Sequence, residues 1–126
     1  MTEHGRIHWS ELATHEPERA RAFYEQVLGW RFETLSGPQG DYLVAHAGET
    51  PVAGVFAMRG DAFAGVPEHW FTYIAVDDVD ARVAAAERLG ARLHRPIFEL
   101  PCIGRIAILQ EPTGAMIGWM TPAPDA

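Results

Sequence analysis

The chain has 126 residues, 48% of them hydrophobic, and a formal net charge of −7. That is one domain's worth of sequence, long enough to bury about two-thirds of its unfolded surface without a disulfide or structural metal. The acidic balance, with arginines scattered among acids as in Glu16-Pro17-Glu18-Arg19, argues against a nucleic-acid partner. No apolar run nears the roughly 20 residues that a membrane helix needs.

The first strand is predicted over residues 6–13. A helix follows, because Ala20, Phe23, Tyr24, Val27 and Leu28 form one apolar stripe at helical spacing. Pro17 suits the first turn, where its missing N–H has no intrahelical partner. Thr14 or Glu16 stands where a cap belongs, and Gly29 is placed to end the helix in a left-handed conformation. Strands are then predicted over residues 31–35, 42–47 and 52–58, broken by Ser36-Gly37-Pro38-Gln39-Gly40 and Gly48-Glu49-Thr50-Pro51. Residues 60–68, with Gly60, Gly65 and Pro67, read as a linker.

The second half repeats the plan. A strand over residues 70–76 leads to Asp77-Asp78, a helix cap, and then to a stripe of Val79, Val83 and Ala86 closed by Leu89-Gly90. Strands follow over residues 92–96, 105–110 and 116–120, the last two joined by a hairpin at Glu111-Pro112-Thr113-Gly114. Leu28-Gly29-Trp30-Arg31-Phe32 resembles Leu89-Gly90-Ala91-Arg92-Leu93 at an offset of 61 residues, and Trp9 and Trp70 share that offset. An internal duplication is the simplest account. The expectation is one α+β domain over residues 1–126, built as tandem βαβββ modules at 1–59 and 69–126. A ferredoxin-like α+β fold would need one fewer strand after each helix, and the hairpin at Pro112 argues against it.

This order resembles the vicinal oxygen chelate superfamily, the glyoxalase/bleomycin resistance/dihydroxybiphenyl dioxygenase-like fold. The matching residues are Phe23-Tyr24 with Val27-Leu28-Gly29-Trp30, Ala75-Val76-Asp77-Asp78-Val79-Asp80, Leu89-Gly90, and Glu111-Pro112-Thr113-Gly114-Ala115. The resemblance covers nearly the whole chain, and its specificity lies in the joint order of motifs that are individually common. Trp70-Phe71-Thr72-Tyr73 and Leu100-Pro101-Cys102-Ile103-Gly104-Arg105 look like a glyoxalase-like or hydroxylase-like subgroup. The resemblance implies curved sheets around a cavity and a homodimer. In metal-dependent members it implies His, Glu or Gln ligands on the first and last strands of each module.

Counted from the helix-end glycines and the hairpin, those ligand positions fall on Trp9, Gly54, Phe71 and Gly118. None can coordinate a cation, so neither a metal nor another cofactor is expected. A one-residue slip would offer His8 for Trp9, but on the opposite face of the strand. Trp9 and Phe71 as aromatic walls, with room beside Gly54 and Gly118, suit an organic ligand. The bland alternative is a filled cavity.

Alternation puts Glu11 on the face of Trp9, a candidate general base if desolvated or an ordinary hydrated acid if at the rim. Tyr73 shares a face with Phe71 and either presents its hydroxyl to the cavity or simply packs. Arg105 could hold an anionic group or pair with Glu99 or Glu111. Trp70, Met116 and Trp119 lie near the expected cavity. The six histidines show no metal-ligand spacing and read as surface or turn residues, with His69 before the second strand the one to watch. The lone cysteine, Cys102, forms no internal disulfide and shows no activating neighbour. With the polar residues 1–8 lacking a signal-peptide core, a cytoplasmic location is expected. The functional expectation is a metal-free protein that binds a small, partly aromatic molecule. The alternatives are a metal-independent lyase, isomerase or hydrolase-like enzyme using Glu11 with Tyr73 or Arg105, and an interaction domain with its cavity filled.

Overall fold

A computed structural model of the chain describes residues 3–37, 40–100 and 103–124. Cys102 and part of the Ser36–Gly40 turn lie outside the described residues. The elements in order are β1 (Ile7–Thr14), α1 (Pro17–Leu28), β2 (Arg31–Gly37), β3 (Gly40–Ala47), β4 (Thr50–Ala57), a 3-10 turn (Asp61–Phe63), β5 (His69–Ala75), α2 (Val79–Arg88), β6 (Arg92–Leu93), β7 (Phe98–Leu100), β8 (Gly104–Gln110) and β9 (Met116–Pro122). This is the α+β order read from the sequence, with one difference. The strand predicted over residues 92–96 stops at Leu93, and β7 resumes alongside the same neighbour, β8. Pro96 lies in the gap, and proline has no N–H to give to a ladder.

The chain forms two compact units, residues 9–71 and residues 1–8 together with 72–126. The first has strand order β2-β3-β4-β1, with β1 and β4 parallel and the other pairs antiparallel. Phe32, Leu43, Ala45, Ala53 and Val55 are buried on one face, packed against Tyr24 of α1 and against Trp30. α1 begins at Pro17 and ends at Gly29 in the left-handed region, φ 70°. Glu16 occupies the N-cap but makes no side-chain cap bond. Its N–H instead donates to the Thr14 hydroxyl, 2.9 Å away.

The apolar stripe of α1 is not buried as its periodicity implies. Phe23, Val27 and Leu28 are 56%, 61% and 54% exposed. Tyr24 carries the packing instead, stacked on Trp30 at 4.9 Å. The linker is anchored to the end of β1. Glu68 accepts from the Thr14 hydroxyl and, at 2.8 Å, from the His15 N–H, while His15 Nε2 donates to the Val66 carbonyl at 2.7 Å. These bonds hold the Glu68 carboxyl below its ordinary pKa, the Thr14 hydroxyl contributing most. They also explain why residues 60–68 group with the first unit.

The second unit has strand order β5-β9-β8-β6, with β7 also on β8. Val76, Val79, Val83, Ala91, Ala107, Leu109 and Ile117 form its core. Of the α2 stripe, Val79 and Val83 are buried, each contributing roughly 1.5–3 kcal/mol, and Ala86 is partly buried against them. Asp78 caps α2 by accepting from the Ala81 N–H at 3.1 Å. Residues 1–8 join this unit through main-chain bonds, Gly5 N–H to Ala75 at 2.7 Å and Ala75 N–H to Arg6 at 2.9 Å. Among the described residues no helix is long and apolar enough to cross a membrane.

Candidate functional site

In the first unit, the candidate residues of β1 and β4 lie on the sheet face opposite α1. The strand registers Glu33 to Val44, Val44 to Gly54 and Gly54 to Glu11 set these four residues in one row across the sheet. Trp9 lies two residues before Glu11 on the same strand, so it shares the face. Tyr42 lies two residues before Val44 and shares it too.

The tyrosine ring leans over Gly54. A side chain there would overlap both the ring and the hydroxyl of Tyr42. The room expected beside Gly54 is therefore taken by Tyr42, which corrects its reading as open ligand space. Only a residue without a side chain permits that approach.

Tyr42 joins the two candidate residues of β1. Trp9 Nε1 donates to the Tyr42 hydroxyl at 3.1 Å, and that hydroxyl donates to Glu11 Oε2 at 2.7 Å. Donor chemistry fixes this direction: indole nitrogen only donates and an ionised carboxylate only accepts. The bond to Glu11 has the ordinary length of an O–H···O hydrogen bond. Tyr42 escaped the sequence reading, although the alternation of Tyr42, Val44 and His46 beside a strand glycine was its available signal.

His46 differs from its expectation as a surface residue, because its side chain is only 12% exposed. The β2–β3 register places it on the same face as Glu33, whose Oε1 is 4.0 Å from His46 Nε2. Its Nδ1 is buried with no hydrogen-bond partner among the described residues. His8, on the opposite face of β1 from Trp9, is pushed to a lower pKa by partial burial and by Arg6. His69 is exposed, its Nδ1 2.8 Å from the Pro67 carbonyl.

The remaining candidates separate. Trp70 meets Tyr24 of α1 edge-on at 5.9 Å, so it lies on the α1 side and Phe71, its neighbour, turns the other way. In the second unit Tyr73 is buried opposite Gly118 on β9, and Gly118 is buried as well. Trp119 packs against the α2 core, on the other side of β9 from Gly118. Met116 is 40% exposed at the start of β9. Arg105 forms a bidentate pair with Asp80, at 2.7 and 3.0 Å, and reaches Glu99 at 3.5 Å. Of its two expected roles, the structure displays the ion pair. In the second unit a surface cleft surrounds the Asp80–Arg105 pair, and in the first unit one lies beside α1 between Arg19, Phe23 and Glu68.

The donors on the Trp9 face do not fit a divalent first-row metal, which needs three or four converging N, O or S ligands. The positions in question are an indole, which has no lone pair to give, and a glycine whose space holds a phenol. Among the described residues no group of three or more His, Cys, Asp or Glu side chains converges to hold one.

The sequence pattern of the Glyoxalase/Bleomycin resistance protein/Dioxygenase superfamily matches residues 6–118. The chain is 38% identical over 126 residues to CFP32 of Mycobacterium tuberculosis, which carries the name of a glyoxylase, covering 99% of this chain but 47% of that protein. It is 35% identical to the anthracycline biosynthesis protein DnrV of Streptomyces peucetius, covering 88% of this chain and 39% of that one. The chain thus spans about half the length of these relatives or less. Among solved structures, protein BH1468 of Bacillus halodurans superposes with a TM-score of 0.77 at 12% identity, covering 98% of this chain and 99% of that one. Methylmalonyl-CoA epimerase of Streptomyces coelicolor does so with 0.72 at 18%, covering 97% and 100%. At such identities these structures speak for the fold alone. The match over residues 6–118 and the tandem βα-sheet order together settle the family: the chain belongs to the glyoxalase/bleomycin resistance protein/dioxygenase superfamily.

Proposed function

We propose that the chain binds a small organic molecule, without a metal, on the sheet face that carries Trp9, Tyr42 and Glu11. The observation that carries this reading is the bonded chain of indole, phenol and carboxylate at a position where metal-dependent relatives are expected to place ligands. Aromatic surface beside one oriented polar group is the usual make-up of an organic-ligand site. The glyoxylase and anthracycline-biosynthesis names of the relatives support a small-molecule role. A homodimer, implied by the family resemblance, belongs to the same proposal and is checked by sedimentation.

A second reading is a metal-independent lyase or isomerase with Glu11 as general base. It is favoured by the Tyr42 hydroxyl, which orients that carboxylate. Tyr42 then takes the supporting role that the sequence assigned to Tyr73 or Arg105. Glu11→Gln abolishes turnover under this reading and leaves binding of a neutral ligand in place under the first.

The test is a thermal-shift screen of small aromatic and antibiotic-like compounds, with Ni²⁺, Zn²⁺, Mn²⁺ and Fe²⁺ in separate wells. A ligand at 100 times its Kd stabilises by about 2.7 kcal/mol, a shift of several degrees. The expected result is a shift with an organic compound and none with the metals. A stoichiometric shift with one metal contradicts the proposal.

A further inference from the structure

We propose that the ligand class of this face is phenols, and that Tyr42 is a built-in competitor which a phenolic ligand displaces. The inference rests on the binding reading above and names its ligand. The Tyr42 side chain is itself a phenol held by the two candidate residues of β1. Its hydroxyl accepts from Trp9 Nε1 at 3.1 Å and donates to Glu11 Oε2 at 2.7 Å. A group that fills this place must accept and donate through one oxygen. Hydroxyls do so. An ammonium group has no lone pair for the indole, and a carboxylate or an ether has no hydrogen for Glu11. A ligand hydroxyl in the place of Tyr42's takes over these two bonds one for one, and asks nothing more of Trp9 or Glu11.

Shape narrows the class further. A Cβ on Gly54 would overlap the Tyr42 hydroxyl and the ring carbons beside it, so the hydroxyl end of the ring lies directly against bare backbone. The ring carbon that bears a phenol's hydroxyl is planar, whereas the tetrahedral carbon of an alkyl alcohol carries substituents out of any one plane. The close approach at Gly54 therefore favours a phenol. Trp9, Tyr42 and Glu11 are each only partly buried, and the Tyr42 backbone is paired with Leu35 on β2. The side chain leaves by rotation about its own bonds while that pairing stays. Displacement costs the interactions that Tyr42 now makes, so affinity for the wild type is lowered by the fraction of molecules in which the place is open.

The test titrates p-cresol, 4-methylanisole and toluene calorimetrically into the full wild-type chain and into Tyr42→Ala. p-Cresol is the tyrosine side chain cut at its Cβ, and the other two mask or lack the hydroxyl. In both proteins p-cresol is expected to bind at least about tenfold tighter than either, as loss of a hydrogen bond to a charged group implies. Tyr42→Ala is expected to bind p-cresol about tenfold tighter than the wild type, because the competitor is gone. In the wild type, p-cresol should move the NMR resonances of the Tyr42 ring together with the Trp9 indole N–H. The wild-type order needs no variant, so a poorly folded Tyr42→Ala leaves it decisive. Toluene or 4-methylanisole binding the wild type as tightly as p-cresol overturns the phenol selection and leaves the small-molecule reading intact. p-Cresol binding that leaves the Tyr42 ring resonances still overturns the displacement, and so does binding by folded Tyr42→Ala alone. If no probe binds either protein, the phenol class is overturned as well, and the compound screen judges the binding reading separately.

Discussion

Tyr42 stands in the space that a side chain at Gly54 would fill, and its hydroxyl carries the bond from Trp9 on to Glu11. The two positions are coupled: a side chain at Gly54 requires the Tyr42 ring to move. Gly54→Ala is expected to displace the Tyr42 ring and lower stability by about 1–3 kcal/mol, as overpacking does. In a Tyr42→Ala background the same change should cost much less, a non-additivity readable from thermal denaturation of the four variants.

Tyr42→Phe keeps the ring and removes the hydroxyl. It removes the acceptor of the Trp9 N–H and one donor to the Glu11 carboxylate, a loss of about 1–3 kcal/mol. The Trp9 indole proton should move in the NMR spectrum, while that of Trp119, packed on the α2 core, should not. An unmoved Trp9 resonance would mean that the bond is absent in solution.

Asp77 is pushed down to a pKa of about 2, first by its bond to Arg82 and also by the charges of Arg82 and His4. A carboxyl whose folded pKa is depressed stabilises the fold above its unfolded value and loses that contribution as pH falls through the folded one. The wild type should therefore melt above Asp77→Asn at neutral pH. That gap should narrow between about pH 4 and pH 2. Melting both proteins across this range checks it, and a gap independent of pH would deny Asp77 its role.

Much of the fold was legible because it rests on local rules. Pro17, Gly29, Asp78 and the hairpin at Pro112 each act within a few residues, and the structure places all four where the sequence did. Trp9 followed from the ligand positions that the family resemblance implies, and Glu11 from strand alternation beside it. What escaped depends on long-range partners. Tyr42 meets Glu11 across three strands, and Arg105 finds Asp80 on a helix 25 residues earlier. His46 looked like any polar strand residue until the β2–β3 register put it beside Glu33. The α1 stripe had the right period, but period reports which residues share a face, not whether anything covers it. Phe23, Val27 and Leu28 are uncovered within this chain.

The central claim is that a small molecule binds at the Trp9–Tyr42–Glu11 face without a metal. The most direct measurement is an NMR titration of the Trp9 indole N–H resonance with a compound from the thermal-shift screen, run with and without EDTA. The account requires a saturable shift of that resonance, identical in both conditions and matched by the affinity measured calorimetrically. A Trp9 resonance that stays still while other resonances move, or binding that disappears with EDTA, would contradict it.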